Sequence, residues 1–137
     1  MITCKIGYKW VVEKNGLYYP ILNFGINNWR PMNQLNPYTK NMFYCQPKDV
    51  FPDQTNECHQ WRIKYAPNFE IPGFHFWKHA INRHLESYNE YLEWKKAPKI
   101  NSVLICSVFG VIKENEERIV AKGFLIKDVE PLYSYKI

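Results

Sequence analysis

The 137-residue sequence lacks a long apolar run. No segment approaches the roughly 20 apolar residues that span a bilayer, and the N-terminus has no apolar stretch of the secretory type. Inside a cell the four cysteines would be reduced thiols, so we expect no disulfides. These absences predict a cytoplasmic protein with no membrane partner.

Motifs for catalysis and metal binding are also scarce. The six glycines are isolated from one another, which excludes a glycine-rich phosphate loop. His79 and His84 are five residues apart and would lie on different faces of a helix, and no Cys-x-x-Cys or His-x3-His pair has a second pair to complete a zinc site. We therefore predict no metal site and no required cofactor.

Basic residues outnumber acidic ones without forming a basic run. The 18 Lys and Arg against 13 Asp and Glu give a net charge of +5, which favours anionic partners such as nucleotides. The basic residues are spread from Lys5 to Lys136 among carboxylates, whereas a nucleic-acid binder usually gathers them. A nucleotide is thus a better-supported ligand than nucleic acid.

Apolar and aromatic residues are plentiful, at 46% and 17%, and are enough to close one core. We assign residues 1–137 to a single domain. Asn15-Gly16 favours a hairpin turn, and the apolar run at Ser102–Phe109 is typical of a central strand. Strands are predicted at Gly7–Val12, Leu17–Leu22, Asn41–Cys45, His59–Ala66, Ser102–Phe109 and Arg118–Val129, with a bulge or bend at Gly123 and an edge strand over Pro131–Ile137.

One helix is predicted at about residues 78–96, ended by Pro98. Its apolar side chains recur every three or four residues and should cover the central strand; they are Trp77, Ile81, Leu85, Tyr88 and Leu92. The predicted fold class is α+β, a strongly bent, mostly antiparallel sheet with one major helix.

Several short pieces resemble small uncharacterised proteins of phages and large DNA viruses. These pieces are Gly7-Tyr8-Lys9, Gly73-Phe74-His75, Ala80 and Val120-Ala121. The resemblance implies an accessory protein of a virus or mobile element, in the host cytoplasm or the virion.

The same order of segments is similar to the ADP-ribosyltransferase fold. In that fold a middle strand leads into a helix and a glutamate precedes a late strand, as Gly73–Trp77 and Glu116 or Glu117 do here. The resemblance implies NAD as a substrate, because a carboxylate stabilises the oxocarbenium-like charge that develops when the nicotinamide bond breaks. It assigns catalysis to Glu117, Glu116 and His75, and nucleotide binding to Tyr8, Lys9, Trp10 and Phe76.

Lys9 stands where that fold usually has Arg or His, and a lysine would orient a phosphate less well than arginine does. A version that binds the nucleotide without turning it over is therefore equally consistent with the sequence. Two further functions stay open. One is a protein interaction module that binds a host-defence or virion protein through Asn23–Pro37 and Gln46–Glu57. The other is a single-stranded nucleic-acid binder whose stacking residues would be Trp29, Trp61, Arg62 and Tyr65.

Overall fold

The structure is a computed structural model that describes residues 5–20, 37–40, 43–45, 74–94, 96 and 98–135. The predicted strand His59–Ala66, the segment Gln46–Glu57 and all of Asn23–Pro37 except Pro37 lie outside these residues. The described elements are six strands and one α-helix, in the order β1 Lys5–Lys14, β2 Leu17–Pro20, β3 Phe43–Cys45, β4 Phe74–Trp77, α1 Leu85–Trp94, β5 Ser102–Glu114 and β6 Arg118–Pro131.

The strands form one sheet that curls on itself into a small barrel. β5 pairs with β1 along one edge and with β6 along the other, as expected for the predicted central strand. β4 pairs with β6 and also reaches β1 through Tyr8 and Trp77, which closes the ring of four strands. All pairings among the described strands are antiparallel, so the predicted α+β class with a mostly antiparallel sheet is confirmed.

The predicted hairpin joins β1 and β2. Asn15 has φ of 55° and Gly16 has φ of 78°, the left-handed conformation that Asn and Gly adopt at least cost. Lys14 then pairs with Leu17. On the edge away from β1, β2 contacts Tyr38, whose backbone exchanges two hydrogen bonds with Tyr18.

The long hairpin of β5 and β6 is irregular, which allows it to curve around the barrel. Ala121 and Phe124 both face the barrel interior although they are three residues apart, so the two-residue alternation of β6 breaks at the predicted bend near Gly123. Gly110 lies on β5 near this point and has φ of 65°. Two register shifts, between Ile105 and Cys106 and between Val111 and Lys113, add to the curvature.

The helix is shorter than the predicted 78–96. Residues 78–84 connect β4 to α1 as bends and turns, because distant segments hold their backbone groups. The Lys78 amide donates to the Glu117 carbonyl at 2.8 Å, and the Trp10 indole N–H donates to the Ala80 carbonyl at 2.7 Å. At the other end Lys96 adopts φ of 56°, two residues after α1 ends.

Buried side chains form two clusters on the two faces of the sheet. The inner cluster fills the barrel and consists of Val11, Phe76, Leu104, Cys106, Val108, Ile119, Ala121, Phe124 and Ile126. The outer cluster lies between the sheet and α1 and consists of Trp10, Val12, Trp77, Ala80, Leu85, Tyr88, Leu92, Ile100 and Val103. The helix therefore packs on the outer face of the sheet, where Tyr88 contacts Trp10 of β1 and Trp77 of β4, and β5 contributes Val103 to this cluster.

The chain leaves the barrel after β6 in a short 3-10 helix, Leu132–Ser134. An edge strand was the prediction for Pro131–Ile137, and it is wrong for Leu132–Ser134. The Leu132 amide donates to the Asn101 carbonyl just before β5, which turns the chain away from the sheet edge. Across the described residues, no helix combines the length and the apolar character needed to cross a membrane.

Candidate functional site

The Lys9 side chain lies on the inner face of β1, within an otherwise apolar and aromatic barrel. Lys9 pairs with Leu104 of β5 and precedes Val11 on the same face of its strand. Its ammonium nitrogen donates to the His75 carbonyl at 2.8 Å and lies 4.9 Å from the centre of the Phe76 ring. A lysine in such surroundings is uncommon, because a charged group loses solvation there.

Phe124 is the second aromatic ring near this ammonium and lies at the centre of a group of rings. The Phe124 ring centre is 5.9 Å from the lysine nitrogen, and it contacts four further rings with centroids 4.9–5.3 Å away. We call this group the aromatic site, and define it as Lys9, Tyr38, Tyr44, Phe74, Phe76 and Phe124. Lys9, Tyr38, Tyr44 and Phe74 are partly buried, whereas Phe76 and Phe124 are 2% and 0% exposed.

Burial affects the protonation of two ionisable groups in or beside the aromatic site, Cys106 and Tyr38. Burial raises the pKa of the Cys106 thiol to about 12, and the Lys9 charge offsets this only in part. Burial also raises the pKa of the Tyr38 hydroxyl above its usual value. Cys106 and Tyr38 therefore add no negative charge near the ammonium.

The structure brings together only some of the residues assigned from the sequence. Lys9, the backbone of His75 and the Phe76 ring meet at the aromatic site. Trp10 belongs to the outer cluster and is 3% exposed, and Tyr8 packs against that same cluster. These two rings thus lie on the opposite face of β1 from Lys9.

Glu117 lies on the outer side of the barrel, at the bend before β6. Arg83 donates to both of its carboxylate oxygens, at 3.0 and 2.8 Å, and the His84 ring nitrogen Nε2 lies 3.1 Å from one of them. His84 stacks on the Trp77 ring, which belongs to the outer cluster. The carboxylate is therefore held near the start of α1 and is not part of the aromatic site.

The surroundings of Glu117 and His84 change the pKa values of both groups. Hydrogen bonding from Arg83, together with the charges of His84 and Arg83, lowers the pKa of Glu117 to about 2. The pKa of His84 is lowered, first by burial and then by the positive charges of Arg118 and Arg83, against the opposing effect of Glu117. Near neutral pH the cluster contains an ionised carboxylate and a neutral imidazole.

The other acidic residues of this bend differ in their contacts. Glu116 is exposed. Glu114 forms ion pairs with Lys5 and, at 2.9 Å, with Lys78, and these contacts lower its pKa. The three glutamates thus do not converge on one ligand position. Among the described residues, no group of three or more His, Cys, Asp or Glu side chains could hold a metal ion.

Several residues of the aromatic site and of the contacts around Glu117 were not predicted from the sequence. Arg83 and His84 are more than 30 residues from Glu117, and no spacing in the sequence links them. No pattern in the sequence singled out Tyr38, whose backbone is positioned by the long-range bridge to Tyr18. Tyr44 and Phe124 had a local signal, because each lies in a predicted strand. The residues proposed for stacking nucleic acid, Trp29, Trp61, Arg62 and Tyr65, lie outside the described part of the chain.

Comparison of the chain with protein-family models, with curated proteins and with solved structures finds no match.

Proposed function

We propose that this protein binds a nucleotide at the aromatic site without cleaving it, as an accessory protein of a virus or mobile element. The observation that carries the proposal is the Lys9 ammonium among the Phe76 and Phe124 rings. An ammonium supplies a charge for a phosphate, and aromatic rings supply faces and edges for a base or a nicotinamide. Together they fit a ligand that is anionic at one end and aromatic at the other.

The surroundings of Glu117 support binding without catalysis. A carboxylate that assists nicotinamide departure must face the ribose, where positive charge develops. Here the carboxylate is engaged by Arg83 on both oxygens and lies on the opposite side of the sheet from Lys9. The positive charge of Arg83 would also oppose a second positive charge nearby. An ADP-ribosyltransferase-like scaffold in this chain would therefore retain a ligand and not transfer it.

Thermal-shift and calorimetric titration with NAD, ADP-ribose and ADP test this proposal. A ligand that binds the native state raises the melting temperature. We expect Lys9→Met to abolish the shift, while Lys127→Met, which removes an exposed lysine of β6, should leave it unchanged. Tyr44→Leu provides a second, partly buried position should Lys9→Met not fold. A shift that survives both Lys9→Met and Tyr44→Leu, or release of nicotinamide from NAD, would contradict the proposal.

A second candidate function is the binding of a host or virion protein. It is supported by two exposed aromatic side chains, Trp94 at the end of α1, 69% exposed, and Tyr133, 87% exposed. Exposed aromatic residues often anchor protein interfaces. Cross-linking in infected or carrier cells should then capture a specific partner protein with wild type and with Lys9→Met, but not with Trp94→Ala or Tyr133→Ala. Failure of Lys9→Met alone to capture this partner would argue for the nucleotide site.

A further inference from the structure

His84 lies directly before α1 and takes part in its first turn. Its carbonyl accepts a hydrogen bond from the Tyr88 amide at 3.0 Å, and its amide donates to the Asn82 side-chain oxygen at 2.9 Å. His84 is 8% exposed, and its ring stacks on the Trp77 ring of β4. His84 therefore joins the start of the helix to the outer face of the barrel, and a change in its charge acts on that junction.

Two positive charges and one carboxylate lie close to the His84 ring. Arg118 of β6 is 7% exposed and lies 4.3 Å from the centre of the Trp77 ring. Glu117 accepts from Arg83 through both carboxylate oxygens, and one of them lies 3.1 Å from His84 Nε2. Among the described residues, the charged and titratable groups facing His84 are thus Arg83 from the connection, Glu117 from the bend, Arg118 from β6 and, through its hydrogen bond to Arg118, Tyr88 from α1.

A protonated imidazole is disfavoured at this position. Burial penalises the charged form of His84, and the charges of Arg118 and Arg83 repel it. A charged ring would also lie at the N-terminus of α1, where the helix dipole is already positive. Glu117 favours the charged form, yet the net effect lowers the pKa of His84. Protonation therefore favours a state in which His84 has left this position.

The strand pairing of the barrel does not involve α1. β1, β4, β5 and β6 close the ring through their own backbone ladders. In the described part of the chain, α1 makes no backbone hydrogen bond to a strand. It is held by the contacts at its start and by Leu85, Tyr88 and Leu92 in the outer cluster. A segment attached through side chains can open as a unit while the sheet stays formed.

We infer that α1 is an acid-sensitive cover of the barrel: protonation of His84 releases the helix from the outer face, while the strand ladders stay closed. Near neutral pH the uncharged imidazole keeps its stack on Trp77 and its contact with Glu117. Release exposes the aromatic side chains beneath the helix, Trp10 and Trp77, which are 3% and 6% exposed in the closed state. The fold thus links pH to the exposure of an aromatic surface, independently of the proposed nucleotide site.

The size of the effect follows from the ordinary pKa of histidine, 6.5. Because the pKa of His84 is lower than this in the closed state, the closed state is favoured above pH 6.5 and loses this advantage as the pH falls. In the released state His84 is about one-tenth protonated at pH 7.5 and about nine-tenths protonated at pH 5.5. The opening constant of α1 should therefore rise about threefold to tenfold between these pH values, the upper limit applying when the closed state takes up no proton.

Native-state hydrogen exchange of the intact protein, followed by NMR in low concentrations of urea, measures this opening. At pH 7.5 the amides of Asn89 and Leu92 in α1 should be less protected than those of Leu104 and Cys106 in β5, and less dependent on urea, because opening of α1 exposes less surface than unfolding. At pH 5.5 the opening constant of α1, corrected for intrinsic exchange, should show the rise of about threefold to tenfold.

His84→Gln should abolish this rise. The matched control is His79→Gln, which removes an exposed histidine from the same connection and should keep the rise. Glu117→Gln gives a second test should His84→Gln not fold. It removes the carboxylate that favours the charged imidazole, so its rise should be at least as large as that of wild type.

Four results would overturn the inference. Equal protection and equal urea dependence of α1 and β5 would show that the helix opens only with the whole barrel. Absence of the rise in wild type, its persistence in His84→Gln, or a smaller rise in Glu117→Gln would show that His84 does not sense the pH.

Discussion

The ion pair between Glu117 and Arg83, on the outer side of the barrel, should stabilise the folded protein, and Glu117 can be substituted to test this. Glu117→Gln keeps the shape of the side chain and removes its charge. The pKa of Glu117 lies at about 2 in the folded protein against 4.5 for the free group. Because the folded-state pKa is depressed, the carboxylate stabilises the protein above pH 4.5, and this contribution is lost as the pH falls from 4.5 toward 2.

The magnitude follows from the shift and from the exposure of the pair. A shift from 4.5 to about 2 corresponds to about 3 kcal/mol without screening. The Glu117 and Arg83 side chains are 33% and 75% exposed, so solvent screens much of their attraction. We expect Glu117→Gln to lower the free energy of unfolding by about 1 kcal/mol at pH 7.

Urea unfolding followed by tryptophan fluorescence measures this difference. Glu116→Gln is the matched control, because it removes an exposed carboxylate from the same bend. The deficit of Glu117→Gln relative to wild type should shrink as the pH falls below 4.5. A variant as stable as wild type at pH 7, or a deficit that does not depend on pH, would refute the assignment of the pair as a stabilising contact.

Three further substitutions test the packing around the two faces of the sheet. The wild type should lose stability as the pH falls below about 6.5, because the lowered pKa of His84 makes its protonation less favourable in the folded than in the unfolded state. His84→Gln should lose less stability over the same pH range. Equal pH profiles of the two proteins in chemical denaturation would contradict this. Trp10→Phe removes the 2.7 Å hydrogen bond to the Ala80 carbonyl and part of a 3% exposed ring, and should cost about 2 to 3 kcal/mol in urea unfolding; a cost below about 0.5 kcal/mol would refute the bond. Gly7→Ala places a Cβ atom 2.7 Å from the Phe76 Cβ, so it should lower the free energy of unfolding by about 1 to 3 kcal/mol and the melting temperature by several degrees. An unchanged melting temperature would show that β1 and β4 can move apart to admit the methyl group.

The strand pattern of the chain was predictable because it depends on local features. The β1–β2 turn follows from Asn15-Gly16, which adopt positive φ more readily than other residues. The central position of β5 follows from the apolar run at Ser102–Phe109, since a strand paired on both edges and covered on both faces needs apolar side chains throughout. The second half of β5, beyond Phe109, was not predicted, because pairing with β6 extends it through polar residues.

The start of the helix was not predictable in the same way. Ala80 and Ile81 fit the apolar period of a helix, yet the chain remains non-helical until Leu85. Contacts from Trp10 and from the backbone of Glu117 hold this segment, and they come from strands far away in sequence. Tertiary hydrogen bonds therefore override local helical preference.

The sequence by itself determined the class of the fold, the hairpin, the central strand and the presence of one helix, because side-chain periodicity and turn preferences are properties of neighbouring residues. Only the tertiary structure decided which of the assigned residues meet. Closure of the barrel places Lys9 and Phe76 inside and Tyr8 and Trp10 outside, and it leaves Glu117 with Arg83 and His84. The physical reason is that each strand has two faces, and the curvature of the whole sheet determines which face encloses a site.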